Sequence, residues 1–289
     1  MAKSATQNVN GVITNPSVTG TYAVAPVDSI PTLTLNGTDI GAMEFNASAV
    51  VVLANATGGP LPGLFIGVEQ AQNASISTIN GSYTSVSLES TSPTSASLAT
   101  ITALNGTGTF SAEQRNTNGT ISSLPANPAG TYTVTSSGAI TVGTGGNGIS
   151  GAVSADGDLL VLAPITSNGS TPGIYVAVKQ GTGVTAATMN GIYTMVSLST
   201  STATGTIGAA FTVGVADGIF NGGYIENNAG ASSTNTISGT YTTTANGTLT
   251  WVVTGGATLT GTVSADGNVF VLTDLTSGDA PVLLVGVHQ

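Results

Sequence analysis

Apolar positions in this chain fall in runs of four to eight residues rich in Val, Ile, Leu and Thr, cut by Asn-Gly, Asp-Gly and Gly-Gly pairs. Helical periodicity is nearly absent. Short β-branched runs between such pairs predict antiparallel hairpins, because tight turns with positive φ match the twist of the strands they join. The C-terminal stretch shows the pattern best. Its runs predict eight strands, over 192–198, 208–215, 219–226, 239–244, 248–254, 258–264, 268–274 and 282–288. Asp217-Gly218, Asn246-Gly247 and Asp266-Gly267 fall at three of the turns, and Tyr241, Trp251 and Phe270 are candidate core anchors.

The pattern repeats. Gly-Thr-Tyr occurs at Gly20, Gly130 and Gly239, placing Tyr22, Tyr132 and Tyr241 at spacings of 110 and 109 residues. An apolar run closing on Gln recurs in step at Gln70, Gln180 and Gln289. Asn80-Gly81-Ser82-Tyr83 returns as Asn190-Gly191-Ile192-Tyr193 and has no counterpart before Gly20. A fixed period of this length divides the chain into 1–70, 71–180 and 181–289. Eight short strands per full unit suit a closed up-and-down antiparallel barrel; a sandwich ranks second and propeller-like blades of about 50 residues third. The fold class expected is therefore all-β, in tandem barrel or sandwich units. The first unit is incomplete. Residues 20–70 match strands four to eight of a full unit and residues 1–19 match the tail of strand three, whereas strands one and two have no equivalent. Such a unit has two open edges and an uncovered core, and open edges pair with other chains.

Composition narrows the function classes. Charged residues make up 6% and apolar ones 40%, so the polar surface is Thr, Ser, Asn and Gly, and disorder driven by charge is excluded. Net charge is −10, with Lys3, Arg115 and Lys179 the only Lys and Arg, too few for nucleic acid or anionic membrane surfaces. The absence of cysteine excludes disulfides and thiolate chemistry. No apolar stretch has the length of a spanning helix, and the strands lack the alternation and aromatic girdles of an outer-membrane barrel. No signal peptide is expected, and Met1-Ala2-Lys3 reads as a start placed on a mature or trimmed segment.

Candidate chemistry is sparse. His288 is the only histidine and aligns with Glu69 and Lys179, a variable strand position, so neither a Ser-His-Asp arrangement nor a three-histidine zinc site is expected. Asp156, Asp158 and Asp266 form the densest oxygen-donor turns and are the candidate calcium ligands, with Asp274 and Asp279 as outlying partners; the competing reading is an Asp-Gly hairpin turn. No other cofactor is expected. Gly143 to Gly148 is glycine-rich but lacks the following Lys of a phosphate loop. Tyr22, Tyr83, Tyr132, Tyr193 and Tyr241 read as buried anchors with the hydroxyl at a rim, rather than as a sugar platform. Asn36, Asn46, Asn105 and Asn246 head glycosylation sequons.

Asn190-Gly191-Ile192-Tyr193, Gly239-Thr240-Tyr241, Ser264-Ala265-Asp266-Gly267-Asn268 and the terminal Val285-Gly286-Val287-His288-Gln289 resemble the motifs of uncharacterised secreted bacterial β-repeat proteins. That resemblance implies an all-β protein outside the cell with no defined reaction. The expected function is a non-enzymatic extracellular or cell-surface structural protein, a fibre or matrix subunit. Its partner is another copy of itself, joined by β-strand addition to the incomplete first unit. Residues 1–19 are the expected exchanged segment, with Val9, Val12 and Ile13 as assembly anchors. The alternative is a secreted binding module for a polysaccharide or a small ligand.

Overall fold

The computed structural model describes the backbone of the strands within residues 1–61. From residue 62 on it describes all but 91–93, 105, 111–112, 125–129, 144–147, 165–170 and 202–204. In the first unit the strands are β1 (Lys3–Ser4), β2 (Gln7–Val9), β3 (Val12–Thr14), β4 (Ser17–Val18), β5 (Gly20–Ala23), β6 (Thr32–Leu35), β7 (Thr38–Phe45), β8 (Ala49–Ala54) and β9 (Gly63–Val68). The second holds β10 (Gly81–Glu89), β11 (Ser95–Leu104), β12 (Thr107–Phe110), β13 (Glu113–Thr117), β14 (Thr120–Leu124), β15 (Gly130–Val134), β16 (Ala139–Val142), β17 (Ile149–Val153), β18 (Leu159–Ala163) and β19 (Gly173–Lys179). The third holds β20 (Gly191–Ser201), β21 (Gly205–Ala216), β22 (Ile219–Asn228), β23 (Ala231–Thr243), β24 (Thr248–Val253), β25 (Thr258–Val263), β26 (Val269–Asp274) and β27 (Val282–His288).

The third unit is a closed antiparallel barrel of eight strands in chain order, β27 returning to pair with β20. The second closes in the same way, with β10 pairing both β11 and β19. Where β22 and β23 run unbroken, the second unit has β12 and β13, then β14 and β15, as separate pieces; β11 pairs with both β12 and β13. The tandem barrel architecture read from the repeat is thus present, and each of the eight strands predicted in the last unit is found. The main difference is length. β23 begins at Ala231, not near 239, and its first six residues are exposed.

Turn chemistry explains the closure. Asn118-Gly119, Asp217-Gly218 and Ala229-Gly230 all have positive φ at both positions, the primed geometry that lets neighbouring strands fold back without splaying. Tyr83, Tyr132, Tyr193 and Tyr241 are buried anchors, and the side chain of Tyr22 lies outside the described residues. Tyr83 Oη donates to the Gly157 carbonyl at 2.7 Å and Tyr193 Oη to the Gly267 carbonyl at 2.6 Å, each tying the first strand of its barrel to the turn between strands six and seven. Tyr132 Oη and Tyr241 Oη donate to the Ile79 and Ala186 carbonyls at 2.7 and 2.9 Å. Each phenol thus fills the barrel with carbon and satisfies its one polar atom on a backbone acceptor.

The last two strands of each full unit are apolar on both faces. One face lines the barrel; the other forms a seam shared by all three units. Val176 and Val178 of β19, Leu283, Val285 and Val287 of β27, and Leu64, Ile66 and Val68 of β9 occupy equivalent positions of the repeat and meet in one cluster, joined by Val86, Leu159, Val196 and Val271. Each fully buried Val or Leu of this kind contributes about 1.5–3 kcal/mol. The arrangement is cyclic. The last strand of one unit lies against the penultimate strand of the next three times over: β9 against β18, β19 against β26, and β27 against β8. Side-chain hydrogen bonds reinforce one of these joints. Asn116 Nδ2 donates to the carbonyls of Asp274 and Asp279 at 3.0 and 3.1 Å, and Asn116 Oδ1 accepts from the Gly119 backbone N–H at 2.8 Å.

Candidate functional site

Among the described residues the first unit shows no counterpart of β20 and β21. Its main sheet has five strands in the order β5-β6-β7-β8-β9. In the full units the last strand pairs on both sides, β27 with β26 and β20, β19 with β18 and β10. Among the described residues β9 pairs with β8 alone, and just past its end Gln70 forms a single antiparallel bridge with Ser154 of the second unit. The other face of β9 shows what the missing strands would cover. Phe65 stands at the repeat position of Tyr175 and Leu284, which face the interiors of their barrels. Leu284 is 5% exposed and Phe65 is 45% exposed. A phenyl ring in water at a position that is core in a sister unit forgoes about 1.5–3 kcal/mol of burial.

The segment 1–19 is not a single extended arm. β1 pairs with β4 and β2 with β3 in one continuous antiparallel register, from Lys3 with Val18 to Val9 with Val12. This reproduces the pairing of β13 with β14. Of the assembly anchors, Val9 lies in β2 opposite Val12, and Ile13 in β3 opposite Asn8; their side chains lie outside the described residues.

The candidate calcium ligands share one narrow cleft between the second and third barrels. Asp156 and Asp158 lie on one side, Asp266 with Ser264 and Asn268 on the other. Their oxygens are engaged within the turns. Asp156 Oδ1 accepts from Ser154 Oγ at 2.5 Å and from the Asp158 backbone N–H at 3.0 Å. Asp266 repeats the pattern with Ser264 Oγ at 2.6 Å and the Asn268 N–H at 3.0 Å. Asp158 pairs with Lys179 Nζ at 3.5 Å. Burial, then the neighbouring Asp156 charge, raises the Asp158 pKa against the opposing pull of Lys179. Among the described residues no three or more His, Asp or Glu side chains are placed to hold one ion. The Asp-Gly turns act here as side-chain-capped hairpins.

Asp274 and Asp279 lie apart from that cleft, around a polar opening of the third barrel that Glu226 and Ser197 also line. Asp274 is almost fully buried, its Oδ1 accepts from the Thr276 N–H at 2.7 Å, and burial is the main cause that raises its pKa. His288 packs edge-on against the Tyr193 ring, centroids 5.0 Å apart, over Gly191. That is a packing role, at the position where Lys179 covers Gly81 in the second unit.

The two barrels differ inside. Trp251 plugs the third, its ring 4.3 Å from Phe220 and 5.1 Å from Phe270 between centroids. Strand registers identify the counterparts in the second. Phe220 pairs with Gly239, as Gly108 does with Gly130. Trp251 pairs with Tyr241, as Val142 does with Tyr132. Phe270 pairs with Gly286, as Leu160 does with Ala177. Met195 pairs with Gly286, as Ser85 does with Ala177. Three aromatic rings and a methionine therefore become Gly, Val, Leu and Ser, and a cavity of about 170 Å³ remains in the second barrel. Sequence reasoning missed this cavity. Its signal was the replacement of Trp251 by Val142 and Phe220 by Gly108 at matched positions of the repeat.

Comparison of the chain with protein-family models, curated proteins and solved structures finds no match.

Proposed function

We propose that the protein is a non-enzymatic structural subunit of an extracellular fibre or surface matrix, assembling by β-strand addition to its first unit. The observation that carries this reading is Phe65, exposed on an inward face of a five-stranded sheet whose sister units have eight strands and a closed core. A neighbouring copy supplies the missing pairing. Its 1–19 hairpin lies along the free edge of β9, with main-chain hydrogen bonds giving affinity and the cross-strand pair Val9 and Val12 on the face that covers Phe65, while Ile13, the next residue along, falls on the opposite face. Such a contact is head-to-tail, and where its rotation does not close it builds a filament. The weakly charged, hydroxyl-rich composition supports a place outside the cell. Light scattering on the full chain and on a chain lacking residues 1–19 tests the reading. Large assemblies of the former and single particles of the latter are expected; equal particle size for both overturns it.

The second reading, a secreted binding module for a small ligand, draws its support from the cavity of about 170 Å³ within the second barrel.

A further inference from the structure

We propose that the second barrel binds a small, uncharged, apolar molecule of about one aromatic ring in the space that Gly108, Gly130 and Val142 leave open. The inference deepens the binding reading and does not depend on assembly.

The third barrel is an internal control. It has the same topology and the same tyrosine anchors; at the matching level Phe220, Trp251 and Phe270 fill its interior, and its own opening lies elsewhere, beside Phe211, Tyr224 and Asp274. A Cβ added at Gly239 would lie 2.1 Å from the Val252 carbonyl oxygen and 2.5 Å from the Phe220 ring, whereas one added at the equivalent Gly130 meets no atom of the described residues within 4 Å. The space in the second barrel follows the side-chain replacements at matched positions, Gly108, Val142, Leu160 and Ser85 standing where the third barrel has Phe220, Trp251, Phe270 and Met195. Its volume, about 170 Å³, is close to that of cavities that stay dry and take up benzene.

The wall selects for carbon. Ile101, Ile140, Val142, Leu160 and Leu162 supply most of it. The tyrosine hydroxyls at its edge are committed elsewhere, Tyr132 Oη to the Ile79 carbonyl and Tyr175 Oη to Glu89 Oε1 at 2.5 Å. Among the described residues no Lys, Arg or carboxylate lines the space, and its remaining polar side chains are the uncharged Ser85 and Thr131. A charged guest would lose its hydration with no compensating partner, so uncharged apolar guests are favoured over acids and amines.

Benzene is the probe. In full-length protein with labelled Ile, Leu and Val methyl groups, benzene is expected to shift Ile101, Ile140, Val142 and Leu160 saturably and to leave Val213, Leu249 and Leu272 of the third barrel unmoved. Benzoate, the same ring with a charge, is expected to do nothing. Gly130→Val fills the space from a strand position with room for it, and is expected to abolish the benzene response without lowering the melting temperature. Val142→Trp, which installs the sister residue, is expected to do the same. Absence of any benzene response, an equal response in both barrels, an equal response to benzoate, or undiminished binding by a folded Gly130→Val protein overturns the proposal. Particle size is expected to be unchanged by benzene, so failure here leaves the assembly reading standing and is told apart from its failure.

Discussion

At the scale of single residues, the repeat works because one side chain fixes strand to turn. The Tyr83 and Tyr193 rings are fully buried, and each donates its hydroxyl to the carbonyl of a turn glycine. Gly157 and Gly267 hold positive φ at those turns, and a Cβ there would come within 2.4 and 2.2 Å of the carbonyls of Thr78 and Thr188. These anchors were legible in the sequence, since Gly-X-Tyr recurs in step with the period. The cavity was not, because whether Val142 faces the barrel or the solvent depends on strand register, which alternation alone leaves open over so short a strand. Two predictions belong here. Trp251→Ala is expected to cost about 3–5 kcal/mol, since its neighbours Phe220 and Phe270 cannot close the hole; denaturant unfolding checks this, and a loss below about 1 kcal/mol contradicts the plug. The tyrosines also make a pH prediction. Burial raises the Tyr83 and Tyr193 phenol pKa values above the ordinary 10.0, so the folded state holds the proton more tightly than the unfolded chain. Their contribution is fully present below pH 10 and falls as pH rises above it. Melting curves at stepped alkaline pH should show this decline, and Tyr193→Phe should lessen it.

At the scale of elements, strands were readable and their polar extensions were not. The runs over 248–254, 258–264 and 282–288 appear as β24, β25 and β27 with ends shifted by no more than a residue. By contrast the first part of β23, from Ala231 to Ser238, is almost entirely polar, exposes most of its side chains, and is a strand because β22 pairs along its whole length. Neighbour pairing, not hydrophobic pattern, creates it. The hairpin tip of β13 and β14 has a definite job as well, since Asn116 behind it bonds the 274–279 loop of the third barrel. Asn116 is fully buried, and Asn116→Ala strands the acceptors it serves. A loss of about 1–3 kcal/mol is expected, concentrated in the coupling between the barrels. The check is whether the second and third barrels, which should melt together in the parent chain, separate into two calorimetric transitions; a single unchanged transition contradicts the joint. At the same loop, burial raises the Asp274 pKa, so deprotonation costs the fold stability as pH climbs through the carboxylate range. Asp274→Asn should abolish that part of the decline.

At the scale of the molecule, three units share one apolar seam in a cyclic order, and among the described residues the first unit shows no counterpart of the opening strands of the other two. The hint was present in the chain. Leu159 to Leu162, Val269 to Leu272 and Leu283 to Val287 are apolar without alternation, as strands buried on both faces are. Read alone, such runs show that both faces are covered and leave open what covers them. The covering partner turns out to be the neighbouring repeat. The same logic makes the gap consequential, because β9 is seated in the seam on one face and leaves Phe65 in water on the other. Phe65→Asp removes the apolar invitation while keeping the β9 backbone edge. It is expected to weaken assembly by roughly tenfold or more, about 1.4 kcal/mol at the least, read as a raised critical concentration in light scattering. An unchanged critical concentration contradicts the role given to that face.

The most direct test is a negative-stain image of the purified full-length protein. The account predicts filaments or linear chains of particles joined end to end through the first unit. A field of separate single particles at every concentration tried would contradict it.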